Sequence, residues 1–258
     1  MMFASVIQWK KHNPSYITEL HIDELTYETF NKLGVLELWD NIEILADNKF
    51  VDKNVFWASS KLQVLRKVKG PVVIMDNDFV VYKSFEKFLK DKIVVAHEEN
   101  GDGYYLGPMD PIIKQVKHII SRPNLEAINC SFLYFPDYRF TQSYATTSLE
   151  LMTEFTRLKA PNSKYLIYAE QLLLKHLLDI HKIQYETLID KVYKSDESRF
   201  FGKSNGILKY KDAYKYYRHY WKEKKSIREN TDGFSHDDEV KQLENTIKNR
   251  ILIEWTKL

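Results

Sequence analysis

Two carboxylates one residue apart, Asp76 and Asp78, stand directly after the apolar run Pro71-Val72-Val73-Ile74-Met75. A run of this kind reads as a strand buried on both faces, and acids belonging to such a strand sit at its end. In open α/β sheets ligands bind beyond the carboxyl ends of the strands, so both acids fall where a ligand would be. Side chains at i and i+2 of an extended chain point the same way. Two carboxylates on one side of a sheet's mouth suit a hard divalent cation, Mn²⁺ or Mg²⁺. The competing reading is a polar turn after a strand, with Asp78 capping a helix.

Other residues could complete such a site. His219 offers a neutral imidazole as a third metal ligand; its alternative is a satisfied histidine on an aromatic helix. Lys61 reads as a point charge, or as a solvated helix lysine. Lys222, one helical turn beyond His219, would face a diphosphate. Asn129 could bond sugar hydroxyls, or simply turn the chain before a strand. Glu170 and Gln171 are adjacent on a helix and diverge by about 100°, so one of them faces a site. The segment from Tyr210 to Lys225 interleaves Tyr, Lys, Trp and His. Such a segment can bind single-stranded nucleic acid, present a basic face to a membrane surface, or pack its aromatics on a core.

The elements that must position these residues follow from periodicity and punctuation. Ser5 to Lys11 reads as a short helix closed by Asn13-Pro14, and Tyr16 to His21 as a strand. Asp23 or Thr26 caps a helix to Lys32 that Gly34 stops. Asn41 to Leu45 is a second strand. Asn54 to Val68 is helical, with Phe56, Leu62, Leu65 and Val68 near helical spacing, and Gly70-Pro71 ends it. Ile93 to Ala96 is a buried strand, followed by a glycine-containing loop from His97 to Pro108. Asp110 to Ser121 is helical, Cys130 to Phe135 a strand, and Gln142 to Lys159 and Tyr168 to Lys182 are helices. Tyr185 to Ile189 is a late strand. Ser235 to Trp255 is a charged amphipathic helix opened by a capping box. Alternating strands and helices give an α/β layered fold with a mostly parallel central sheet.

The 258 residues suit one large α/β domain. A net charge of +2 forces no polyanionic partner, and nucleic acid is not expected. Aromatics reach 14%, with 17 Tyr, which fits stacking on a polyhydroxylated ligand or a compositional bias of the genome. The single Cys130 excludes an internal disulfide and fits a reducing compartment, so a cytoplasmic location is expected. No apolar run reaches membrane-spanning length, and Met1-Met2-Phe3-Ala4-Ser5 does not read as a signal peptide.

In this setting Asp76-Asn77-Asp78 resembles the Asp-x-Asp motif of GT-A glycosyltransferases. Trp57 to Leu62, on the helix before the strand, resembles the Lys-bearing helix of glycogenin-like and capsular-polysaccharide-type transferases. Ala127 to Phe135 is similar to their Asn-x-Gly/Ser strand, Tyr168 to Leu174 to their acidic-Gln helix, and His219 to Lys222 to their late His motif. The similarity runs in family order from Tyr16 to Lys225. It implies a GT-A-like (Rossmann-like) sheet flanked by helices in one domain, 1–258, with a nucleotide-sugar half, 1–135, and an acceptor half, 136–258. It further implies hexosyl transfer from a nucleotide-sugar donor to a glycan or glycolipid acceptor. Asp76, Asp78 and His219 would hold Mn²⁺ or Mg²⁺; Lys61 and Lys222 would contact the donor; Asn129, Glu170 and Gln171 would be catalytic. Such a protein has no transmembrane segment and is compatible with peripheral membrane association. Two departures stand out. Residues 1–8 read as a helix where the family begins with a base-binding strand, whose loss would impair activity, and Trp221 replaces the usual Gly. The alternatives are a haloacid-dehalogenase-type phosphatase with Asp76 as nucleophile, and a nucleic-acid-binding module using Tyr210 to Lys225.

Overall fold

A computed structural model describes residues 2–101, 106–107, 109–120, 126–194 and 199–220. In chain order the elements are α1 (Met2–His12), β1 (Glu19–Ile22), α2 (Glu24–Lys32), β2 (Asn41–Ile44), α3 (Ser59–Lys67), β3 (Val72–Met75), β4 (Phe79–Val81) and β5 (Ile93–Asn100). There follow α4 (Pro111–Gln115), β6 (Glu126–Phe135), α5 (Tyr138–Arg157), α6 (Lys164–Ile167), a π-helical turn (Tyr168–Leu172), α7 (Leu173–Ile180) and β7 (Tyr185–Ile189). The last are β8 (Val192–Lys194), β9 (Arg199–Phe201), β10 (Gly206–Leu208), α8 (Tyr210–Ala213) and β11 (Tyr217–His219). These residues form two compact units. One takes its described residues from Met1–Asp47, Asp76–Glu86 and Tyr214–Leu258; the other from Asn48–Met75 and Lys87–Ala213.

In the first unit α1 buries Ala4, Val6 and Trp9. Its last turn carries Lys10, Lys11 and His12, where the helix dipole favours cations, and Pro14 prevents continuation. Asp23 caps α2 by accepting from the Thr26 amide at 2.7 Å, and Gly34 turns the chain with φ +65°. β1 and β2 pair in parallel, His21 opposite Glu43. Asp40, just before β2, ties three pieces together. It accepts from Lys10 Nζ at 2.7 Å and from the amide and hydroxyl of Thr18, each at 2.8 Å. A second small sheet pairs β4 with β11, antiparallel, with all three β4 residues buried.

The second unit is built on a seven-stranded sheet in the order β10-β7-β5-β6-β3, with β8 on β5 and β9 on β8. The α/β class is as expected, but the sheet is mixed. β5–β7, β7–β10 and β5–β8 are parallel, whereas β3–β6, β5–β6 and β8–β9 are antiparallel. Buried strands of either sense read as the same apolar runs, so sequence did not reveal that β6 runs against both its neighbours. The run Val72–Met75 is an edge strand, half-buried along its length, not a central one buried on both faces. Val72 and Ile74 pack on the main core, with α3, α5, the π turn and α7 supplying Leu62, Leu65, Tyr144, Met152, Phe155, Tyr168 and Leu173. α5 buries Thr141, Tyr144, Ala145, Ser148, Leu149 and Met152, a helical stripe.

Several boundaries differ from those expected. The helix expected from Asn54 begins at Ser59, because residues 54–58 form turns that place Phe56 in the core. His97 to Asn100 continue β5 instead of opening a loop. The late charged helix from Ser235 to Trp255 lies outside the described residues, as do Trp221 and Lys222.

Candidate metal centre

Asp76 and Asp78 are brought together by a turn, not by an extended chain. The Phe79 amide donates to the Asp76 carbonyl at 2.9 Å, closing the turn just before β4. β4 is then locked by its neighbours. Ser5 Oγ of α1 donates to the Phe79 carbonyl at 2.6 Å, and β11 pairs with it so that His219 stands opposite Phe79. The Tyr220 amide donates to the Asp78 carbonyl at 3.0 Å, extending this ladder into the turn. His219 therefore sits on a strand, not on the expected helix.

This ladder aims three side chains at one point. His219 Nε2 lies 3.5 Å from Asp78 Oδ1 and 3.9 Å from Asp76 Oδ2. One ligand atom from each of the three residues lies within 4.8 Å of the others. Asp78 is buried, its residue 3% exposed, whereas the Asp76 side chain is 37% exposed. Atoms bound to one cation at about 2.1 Å lie at most about 4.2 Å apart, so the group fits one ion after shifts of a few tenths of an ångström. Two carboxylate oxygens suit Mg²⁺ or Mn²⁺, and the imidazole nitrogen tilts the set away from Mg²⁺, which prefers oxygen alone. Beside the group, Phe79 stacks on Tyr217 with centroids 4.6 Å apart.

Lys222 lies outside the described residues, and the remaining expected site residues lie in the second unit. Lys61 Nζ donates to Glu170 Oε1 at 3.0 Å and to the Cys130 carbonyl at 2.9 Å. The two side chains are 15% and 7% exposed, a largely desolvated ion pair. Glu170 lies on the π turn, and its carbonyl accepts both from the Leu173 amide and from Tyr144 Oη, the latter at 3.0 Å. Gln171 is half-buried beside it. Asn129 lies inside β6, not in a turn, and its amide donates to Glu99 Oε1 at 2.7 Å. His97 approaches the same oxygen at 3.2 Å. Sequence reading passed over His97 and Glu99, although their i, i+2 spacing after Ile93-Val94-Val95-Ala96 repeats the signal that marked Asp76 and Asp78.

Over residues 5–238 the chain matches a family described as a family of unknown function, DUF6734. The chain belongs to that family. The matched residues include Asp76, Asp78 and His219 as well as the Lys61–Glu170 pair. None of the curated proteins matches the chain. Among the described residues, no helix is long and apolar enough to cross a membrane.

Proposed function

We propose that this DUF6734 protein transfers a sugar from a nucleotide-sugar donor to a glycan or glycolipid acceptor, using a divalent cation held by Asp76, Asp78 and His219. The observation that carries the reading is the convergence of those three side chains at the end of an apolar strand run. The resemblance of the surrounding motifs, in order, to GT-A transferases supplies the substrate class. A bound Mn²⁺ or Mg²⁺ supplies Lewis-acid neutralisation of a leaving diphosphate. Asp78, buried and fixed by the β4–β11 ladder, offers a carboxylate whose direction is set before any ligand arrives. Asp76, more exposed, adjusts to complete the set. His219 in its neutral form offers a ring nitrogen. Lys61 pairs with the buried Glu170 and holds it in place, a positioning role. Lys222 remains a proposed diphosphate contact.

The test is a thermal-shift screen of UDP-, GDP-, CMP- and dTDP-sugars with and without Mn²⁺. A ligand that binds only the native state raises its apparent stability by mass action. The reading predicts at least one nucleotide-sugar whose stabilisation requires Mn²⁺ and is absent in Asp78→Asn. Release of inorganic phosphate from a simple phosphomonoester, lost in Asp76→Asn, would instead establish the phosphatase alternative.

A further inference from the structure

The second unit contains a polar group of which the metal-centred reading uses only Asn129. On β5, His97 and Glu99 are two residues apart; on β6, Asn129 pairs directly with His97; on β8, Tyr193 pairs with Glu99. This places all four on one face of the sheet. The Glu98 side, opposite, is taken by Tyr185, whose hydroxyl donates to Glu98. Between Val95 and His97 the β5–β6 register shifts, and irregularities of this kind re-aim side chains.

The centre of the group is Glu99, a carboxylate 8% exposed. One of its oxygens, Oε1, accepts from Asn129 Nδ2 at 2.7 Å and faces His97 Nε2 at 3.2 Å. A carboxylate only accepts, so Nε2 carries a proton, and in the neutral form of the ring Nδ1 is left as an acceptor. Nδ1 has no partner among the described residues. Asn129 is fixed from both ends, since its Oδ1 accepts from the Ser131 amide at 3.0 Å. Its Nδ2 retains a second hydrogen with no partner among the described residues. The His97 ring packs on Tyr193 with centroids 5.4 Å apart, which holds the imidazole plane. Beside Asn129, Ser131 has a buried Oγ that also lacks a partner among the described residues.

Here two side chains anchored on one buried oxygen present one fixed acceptor and one fixed donor, next to an aromatic ring. A pair of neighbouring hydroxyls on a neutral sugar, each able to give and to take a hydrogen bond, matches that pattern. An anion matches it less well, because His97, Asn129 and Tyr193 include no lysine or arginine to receive a negative charge. We infer that His97, Asn129 and Tyr193, set by Glu99, form a metal-independent binding site for a neutral glycan. The inference goes beyond the donor reading and stands without it, because it involves neither a cation nor a nucleotide.

The experiment is saturation-transfer NMR and calorimetry of the full chain in EDTA. The probes are unmodified gluco-, galacto- and manno-configured disaccharides, with a nucleoside diphosphate as the anionic control. At least one disaccharide binds in EDTA, and equally well to Asp78→Asn, while the nucleoside diphosphate does not bind under those conditions. Asn129→Ala and His97→Ala each weaken disaccharide binding about tenfold or more, the loss of one hydrogen bond in a desolvated setting. Because either substitution could disturb the sheet, Glu99→Gln provides the second readout. A Gln amide can donate to Nε2, which moves the ring proton to Nδ1 and turns the acceptor into a donor. Its far-ultraviolet spectrum and melting temperature stay those of the wild type while affinity falls by a similar factor. No disaccharide binding in EDTA, or binding unchanged in both alanine variants, overturns the inference. Failure of the nucleotide-sugar screen leaves these results untouched, so the two readings fail separately.

Discussion

At the scale of single residues, the Asp76, Asp78 and His219 group predicts its own metal response. Saturating Mn²⁺ at about 100 times its dissociation constant contributes about 2.7 kcal/mol, a rise in melting temperature of roughly 5–10 °C. Asp76→Asn and Asp78→Asn should each remove that rise in differential scanning fluorimetry, and His219→Ala should leave a reduced one. An unaltered Mn²⁺ response in Asp78→Asn would place the ion elsewhere. The Lys61–Glu170 pair makes a different prediction. Lys61→Ala leaves a carboxylate 7% exposed without its cation and should cost about 3 kcal/mol, read from urea midpoints. Lys61→Met with Glu170→Leu should recover most of that loss, since an apolar pair needs no compensation. The two aspartates were legible in sequence because acids abruptly end an apolar run. Their convergence was anticipated for a wrong local reason, extended-chain alternation, where a turn does the work. Lys61 and Glu170 were each legible as unusual, but nothing in a linear chain says that they neutralise one another.

At the scale of elements, Asp40 links α1 to the starts of β1 and β2. The Lys10 ammonium first, then the Thr18 amide and hydroxyl, hold its carboxyl at about 2. A depressed folded-state value gives stability that is present above the ordinary carboxylate range and lost as pH falls. The loss should therefore fall between about pH 4 and pH 2. Asp40→Asn should flatten the acid limb of a urea-midpoint against pH plot in that window. β10 offers a purely steric prediction. A Cβ on Gly206 would run into the backbone of Ile189 and Asp190, so Gly206→Ala should displace β10 from β7 and lower the melting temperature. Most helices and the longer strands were legible from period and caps: Asp23, Gly34 and Asp110 end or begin elements where the sequence put them. The three-residue strands β8, β9, β10 and β11 were not. Strands that short carry too little alternation to register, and their pairing is decided by distant partners.

At the scale of the whole molecule, the metal trio belongs to one of two compact units. Mn²⁺ should therefore slow amide exchange first in β4, β11 and α1, with the β5–β6 ladder of the other unit little changed. Hydrogen exchange followed by mass spectrometry distinguishes the cases, and protection spread evenly over both units would mean that the ion is not read locally. The chain path behind this was invisible in sequence. Nothing in composition marks Asp76–Glu86 as belonging with Met1–Asp47 while the segments on either side of it belong to the other unit.

That chain order has a consequence for how the protein comes into being. β4 and both aspartates leave the ribosome early, but the strand that closes their sheet, Tyr217–His219, emerges only after every described strand of the other unit. Until then β4 has three apolar residues and no partner strand, a sticky edge on a nascent chain. The proposed cation site thus depends on the last strand of the described residues. A chain stalled or cleaved before Tyr217 would carry the two acids and still be unable to finish the ion's coordination. Until Tyr217–His219 have been made, the chain holds two of the three candidate ligands and lacks the third.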